Sequence, residues 1–140
     1  MLCKNRSITA PSILAVDNNI DNLLLLSYVL EALNFKCYGV SDSTRVLDLA
    51  IDKIPNLILL DIVMPNMSGF EVISKLKSNL FTRNIPVIAV TGLANLEHQA
   101  MIKSAGFADY ICKPFLLEEL EDKVAKCFKY LSPCLVQAVA

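Results

Sequence analysis

The sequence predicts an α/β fold: a five-stranded parallel, doubly wound sheet with helices on both faces. Two observations carry that prediction. Five short apolar runs alternate with five segments of helical period, and the connections between them are short. Four of the five apolar runs end on polar residues, as buried parallel strands do when their carboxyl ends line one edge. A third supports both, because 140 residues with 54% hydrophobic and 19% charged side chains suit a single domain with a well-covered sheet.

Ser12 to Val16 reads as the first strand, ending at Asp17-Asn18-Asn19. From about Ile20 to Leu33 the period is helical, with Leu23, Leu26, Leu30 and Leu33 on one face. Leu24, Leu25 and Val29 widen that face, which is read as core rather than as a docking surface. Phe35 to Val40 is a short second strand. Ser41 or Ser43 is placed to cap a second helix running to about Asp52. The third strand, Leu57 to Asp61, is an apolar run bounded by Pro55 that stops abruptly on a carboxylate, after which Pro65 and Gly69 turn the chain. Ser68 with Glu71 forms a capping-box pattern for a third helix to about Leu80. Beyond the polar turn at 81–84, Ile85 to Val90 is the fourth strand, ending at Thr91-Gly92. The fourth helix runs from Asn95 to Ala105 and stops at Gly106. Ala108 to Cys112 is the fifth strand, and the last helix runs from about Leu117 to Tyr130, with Pro133 as its stop. Residues 1–11 are read as a leader, 12–130 as the domain and 131–140 as an apolar tail.

Charge and cysteine usage narrow the function classes. A net charge of −1 offers no basic field for nucleic acid or an anionic membrane surface. No apolar run approaches the ~18 residues of a membrane helix. Lys4 and Arg6 precede an apolar stretch, but Pro11 and Asp17 interrupt it, so it reads as the lead into the first strand and not as a signal peptide. The five cysteines are odd in number and scattered without a CxxC pair, which suits reduced thiols in a cytoplasmic protein. Cys112, beside Lys113, is read as a small strand residue, and His98 as a surface residue.

The chemistry lies at the strand ends, which carry Asp17 with Asn18, Asp61, Thr91 and Lys113. A strand order of 2-1-3-4-5 places Asp17 and Asp61 side by side at the switch point between strands one and three. Two such carboxylates repel by about 4 kcal/mol at 4 Å with an effective dielectric near 20. A cation must offset this, and Lys113 with a hard divalent ion does so. An oxygen-only ligand set favours Mg²⁺. The arrangement meets the needs of phosphoryl transfer, with Asp61 as nucleophile, Lys113 and Mg²⁺ neutralising the incoming oxygens, and the Thr91 hydroxyl donating one hydrogen bond to them. Neither G-x-G-x-x-G nor a P-loop occurs, so nucleotide binding is unsupported.

The set Asp17-Asn18, Asp61-Ile62-Val63-Met64-Pro65, Thr91-Gly92 and Lys113-Pro114-Phe115 resembles the receiver domain of two-component response regulators, over about Ser12 to Lys129. The resemblance implies a flavodoxin-like fold and phosphorylation of Asp61 by a partner histidine kinase, a hybrid kinase or a phosphotransfer protein. It implies Mg²⁺ held by Asp17, Asn18, Asp61 and the Val63 carbonyl, and a cis peptide bond between Lys113 and Pro114. Tyr110 matches the aromatic that works with Thr91 as the switch. Output then passes by protein contacts to a downstream target, with a homodimer through the fourth helix, fifth strand and fifth helix as a candidate, and with no role for nucleic acid or membrane. Asp21 through Leu26 looks like receivers attached to hybrid sensor kinases.

Three departures stand out. Asn18 replaces the second acidic residue after strand one, which predicts Mg²⁺ affinity weaker by roughly tenfold or more, at about 1.4 kcal/mol per decade. Gly92 replaces a slightly larger residue. Val63 and Leu93 place apolar groups beside the phosphoryl site, predicting a long-lived phosphoryl group. Beyond acting on its own carboxylate, the chain is read as no enzyme. An aspartyl-phosphate hydrolase of the haloacid-dehalogenase type needs an aspartate where Val63 stands. The competing reading is a pseudo-receiver that binds partners without phosphorylation, because Asn18 weakens the metal site.

Overall fold

The computed structural model describes residues 10–92 and 95–129. The leader before residue 10, Leu93, the helix end at Tyr130 and the tail therefore lie outside the described residues. The elements are β1 (Ser12–Val16), α1 (Ile20–Ala32), β2 (Lys36–Val40), a 3₁₀ turn (Ser43–Arg45), α2 (Val46–Lys53), β3 (Leu57–Asp61), α3 (Gly69–Lys77), β4 (Val87–Thr91), α4 (Leu96–Ala105), β5 (Asp109–Cys112) and α5 (Leu117–Lys129). The strands form one parallel sheet in the order β2-β1-β3-β4-β5, as expected.

Side chains alternating along the strands feed two cores. Leu14, Val16, Ile58, Leu60, Val87 and Ala89 face α2, α3 and α4 on one side. Ile13, Ala15, Leu57, Leu59, Ile88 and Val90 face α1 and α5 on the other. β3 and β4 are buried along their whole length, which is why both read as continuous apolar runs. No described helix is long and apolar enough to cross a membrane. Cys37, Cys112 and Cys127 are free, and burial pushes the Cys37 and Cys127 thiols above their ordinary pKa.

Several boundaries differ from the expectation, each for a local reason. Leu23, Leu26 and Leu30 of α1 are buried, but Leu24 and Leu25 are exposed together with Ile20 and Tyr28. The broad apolar face is thus divided between core and surface. The segment before α2 is capped by Asp42, which accepts from the Thr44 N–H at 3.0 Å and its hydroxyl at 2.7 Å. Ser43 is buried instead, and its hydroxyl donates to the Pro65 carbonyl at 3.2 Å. α3 ends at Lys77 and not near Leu80, because the Ser78 and Thr82 hydroxyls donate to the Ser74 and Leu76 carbonyls. β4 starts at Val87, after a turn closed by the Ile85 N–H on Thr82 and after Pro86, which has no N–H to give.

Candidate functional site

The strand register builds the site. Val16 pairs with Leu60, so the residues that follow, Asp17 and Asp61, leave the sheet side by side. Asp61 pairs with Val90 and Thr91 with Cys112, which carries Thr91 and Lys113 to the same edge. Asp17, Asp61 and Thr91 are 2%, 6% and 0% exposed. From the far side Lys113 Nζ reaches both carboxylates, at 2.9 Å from Asp17 Oδ2 and 3.2 Å from Asp61 Oδ2. The Lys113–Pro114 peptide bond is cis.

Two short loops hold the carboxylates from behind. Asp17 Oδ1 accepts the Asn19 N–H at 2.9 Å, and its Oδ2 accepts the Asn22 amide at 3.2 Å. Asn19 is also the N-cap of α1, so one turn orients the helix and the carboxylate together. Asp61 Oδ1 accepts the Val63 N–H at 3.2 Å. The loop then folds back through the Gly69 N–H to the Ile62 carbonyl at 2.9 Å, into the capping box of Ser68 and Glu71. Gly69 is required here for space: a Cβ would lie 2.7 Å from Ile62 Cα and 2.8 Å from the Asp61 carbonyl oxygen.

One ammonium facing two buried carboxylates leaves the cluster one charge short. Burial pushes the Asp61 carboxyl above the ordinary carboxylate range; Lys113 opposes this and the Asp17 charge adds to it. Burial alone would depress the Lys113 ammonium, but its hydrogen bond to Asp17 and the charges of both aspartates outweigh that and raise it. A site with a surplus negative charge and only oxygen donors fits a hard dication. Among the described residues no group of three or more His, Cys, Asp or Glu is arranged to hold a metal. Beyond two carboxylates, the donors to hand are the carbonyl of Val63 and the side-chain amide of Asn18, both exposed residues.

The remaining candidates lie around this centre. Tyr110 is half-buried on β5, and Lys123 of α5 sits over its ring at 5.4 Å while pairing with Asp109 at 2.9 Å. His98, read from the sequence as a surface residue, is half-buried with its Nε2 3.4 Å from Thr91 Oγ1. Asn22 and His98 were missed because each meets its partner only once a helix docks on the sheet. The one sequence cue for Asn22 was its place three residues after the cap at Asn19.

Comparison with known proteins agrees with this fold. Residues 13–125 match the family model of the response regulator receiver domain. The polar-differentiation response regulator DivK of Brucella ovis is 38% identical over 103 residues, covering 74% of this chain and 84% of that one. A probable cyclic di-GMP phosphodiesterase of Vibrio cholerae is 37% identical over 113 residues, but the chain spans only 25% of that relative's length. Among solved structures, a response regulator from Desulfuromonas acetoxidans superposes with a TM-score of 0.80 at 29% identity, over 87% of this chain and 99% of the other. The receiver domain of a Pseudomonas aeruginosa sensor histidine kinase, which has a magnesium ion coordinated in its active-site cleft, gives 0.80 at 25% identity over 86% and 99%. By its sheet order, the acidic pair at its switch point and this matched span, the chain belongs to the response regulator receiver domain family.

Proposed function

We propose that this receiver domain is a phosphoacceptor of two-component signalling, taking a phosphoryl group onto Asp61 from a partner histidine kinase or phosphotransfer protein. The observation that carries this is the bridge from Lys113 to Asp17 and Asp61, which gathers three strand ends around one buried, partly compensated carboxylate. In the transfer an Asp61 oxygen forms the new P–O bond as the donor's P–N bond breaks, and the donor imidazole leaves. Lys113 meets the charge on the transferred oxygens, and the Thr91 hydroxyl donates to one of them. Asp17, Asn18, Asp61 and the Val63 carbonyl are the groups to hold Mg²⁺, which when bound supplies the rest of the neutralisation. Tyr110 relays the change at Thr91 to the surface.

Output by protein contact suits the outer surface. Leu96 and Met101 are exposed on α4, and a groove of about 410 Å³ runs between that helix and β5, lined by Phe107 and Tyr110 among others. The α4–β5–α5 face is the proposed contact for a downstream partner or a second copy. The exposed Leu24, Leu25 and Tyr28 of α1 lie on the other side of the cleft and offer apolar contact to the phosphodonor.

Intact mass after treatment with acetyl phosphate and Mg²⁺ is the test. The wild type gains one phosphoryl group and Asp61→Asn gains none; equal gain in both removes the proposal. Asn18, exposed where the family carries a second acid, favours the pseudo-receiver as the second reading. No gain in the wild type, with partner binding retained, selects it.

A further inference from the structure

Two helix-borne polar side chains reach the cleft: Asn22 of α1 at Asp17, and His98 of α4 at Thr91. His98 lies in the first turn of α4, whose N-cap Asn95 accepts the His98 backbone N–H at 2.7 Å. The cap fixes this turn, so the imidazole is presented from a defined point. Its Nε2 lies 3.4 Å from Thr91 Oγ1. The ring meets Phe70 of α3 edge-on at 5.9 Å, and Phe70 meets Phe107 in the same way at 6.1 Å. One histidine thus touches the end of β4 and the start of α3 while belonging to α4.

We propose that His98 is a positioning residue for the Thr91 hydroxyl: it holds Oγ1 toward α4, and a phosphoryl group on Asp61 must take the hydroxyl away from it. The inference rests on the reading of Thr91 as the hydroxyl partner of that phosphoryl group. A threonine hydroxyl has one proton to donate. With Nε2 as its acceptor the proton is engaged, so imidazole and phosphoryl oxygen compete for it. A contact of 3.4 Å is long for O–H···N and is readily broken, as an exchange between two states requires. Breaking it releases the first turn of α4 and the ring packed on Phe70. In this way α4 registers the chemistry at Asp61 through the contact of His98 with Thr91, in parallel with Tyr110.

The test uses the full chain with Mg²⁺ and beryllofluoride as the phosphoryl mimic. Saturating the wild type is expected to move the ¹⁵N resonance of His98 Nε2. His98→Phe keeps an aromatic ring against Phe70 and loses the nitrogen; it is expected to bind beryllofluoride about fivefold more tightly, the effect of removing one ordinary hydrogen bond. His98→Gln, whose amide restores a polar end, is expected to stay within about twofold of wild type, since it keeps the same kind of bond. In a Thr91→Ala background His98→Phe is expected to change nothing. The inference is overturned by an equal gain in both backgrounds, by unchanged affinity in His98→Phe, or by a wild-type Nε2 signal that stays put at saturation. Failure of the wild type to bind beryllofluoride, or phosphoryl uptake by Asp61→Asn, overturns the underlying reading and the inference with it.

Discussion

Lys113 supplies one positive charge to two buried carboxylates, and the shortfall sets how the site responds to pH and metal. Because burial and Asp17 raise the Asp61 pKa, the folded chain keeps this proton to higher pH than the unfolded chain does. Well below the ordinary aspartate value of about 3.9, Asp61 is protonated in both states and costs nothing. As pH rises from there through the raised value, the unfolded chain sheds its proton first, so stability falls, and the penalty is complete once pH exceeds the raised value. In EDTA, Asp61→Asn is therefore expected to melt above wild type at pH 7, with the gap closing toward pH 4. Thermal melts at the two pH values check this, and a gap that widens on acidification contradicts it. Asn18 carries the second prediction at this scale. Asn18→Asp restores a negative charge beside Asp17 and is expected to tighten Mg²⁺ binding by about tenfold or more in a direct titration, about 1.4 kcal/mol.

The loop from Asp61 into α3 ties a structural device to the chemical one. Ser68 and Glu71 satisfy each other's backbone N–H groups, at 3.3 Å and 3.2 Å, and Gly69 lies against the Asp61 carbonyl. Ser68→Ala is expected to cost about 1 kcal/mol by chemical denaturation, the usual loss for an N-cap. Gly69→Ala places a methyl group against rigid backbone, and is expected to cost about 1–3 kcal/mol and to lower phosphoryl uptake by shifting Asp61. Similar costs with unchanged uptake in both variants would separate the loop from the site. This capping box was readable in advance because all its parts are local. The Asp42 cap was not: Ser41, Asp42 and Ser43 are all competent, and a bond from Ser43 to Pro65, 22 residues away, decides among them. The four consecutive leucines of α1 hid their division between core and surface, since any helical face drawn through them looks apolar.

Across the molecule the sheet separates two cores. Ile73 packs in the one under α2, α3 and α4, and Ile88 in the one under α1 and α5. Ile73→Val and Ile88→Val are each expected to cost about 0.5–1.5 kcal/mol. With β-strand backbone between them, the two costs are expected to add within about 0.5 kcal/mol. A coupling above 1 kcal/mol in urea denaturation would mean that the cores respond as one. The parallel sheet, and the gathering of Asp17, Asp61 and Lys113 at one edge of it, followed from apolar runs ending on polar residues, whereas the strand order had to be supposed. The helix-borne contacts to Thr91 and Asp17 did not, because they depend on how α1 and α4 dock.

The bonds from Lys113 reach across 96 residues to Asp17 and 52 to Asp61. On a ribosome adding about 5–20 residues per second, Lys113 is made some 3–10 s after Asp61. Throughout that interval β1 and β3 both exist, yet pairing them would set two carboxylates together without their cation. Pairing β1 with β3 is thus less favourable in the nascent chain than in the finished domain, where β5 delivers the lysine.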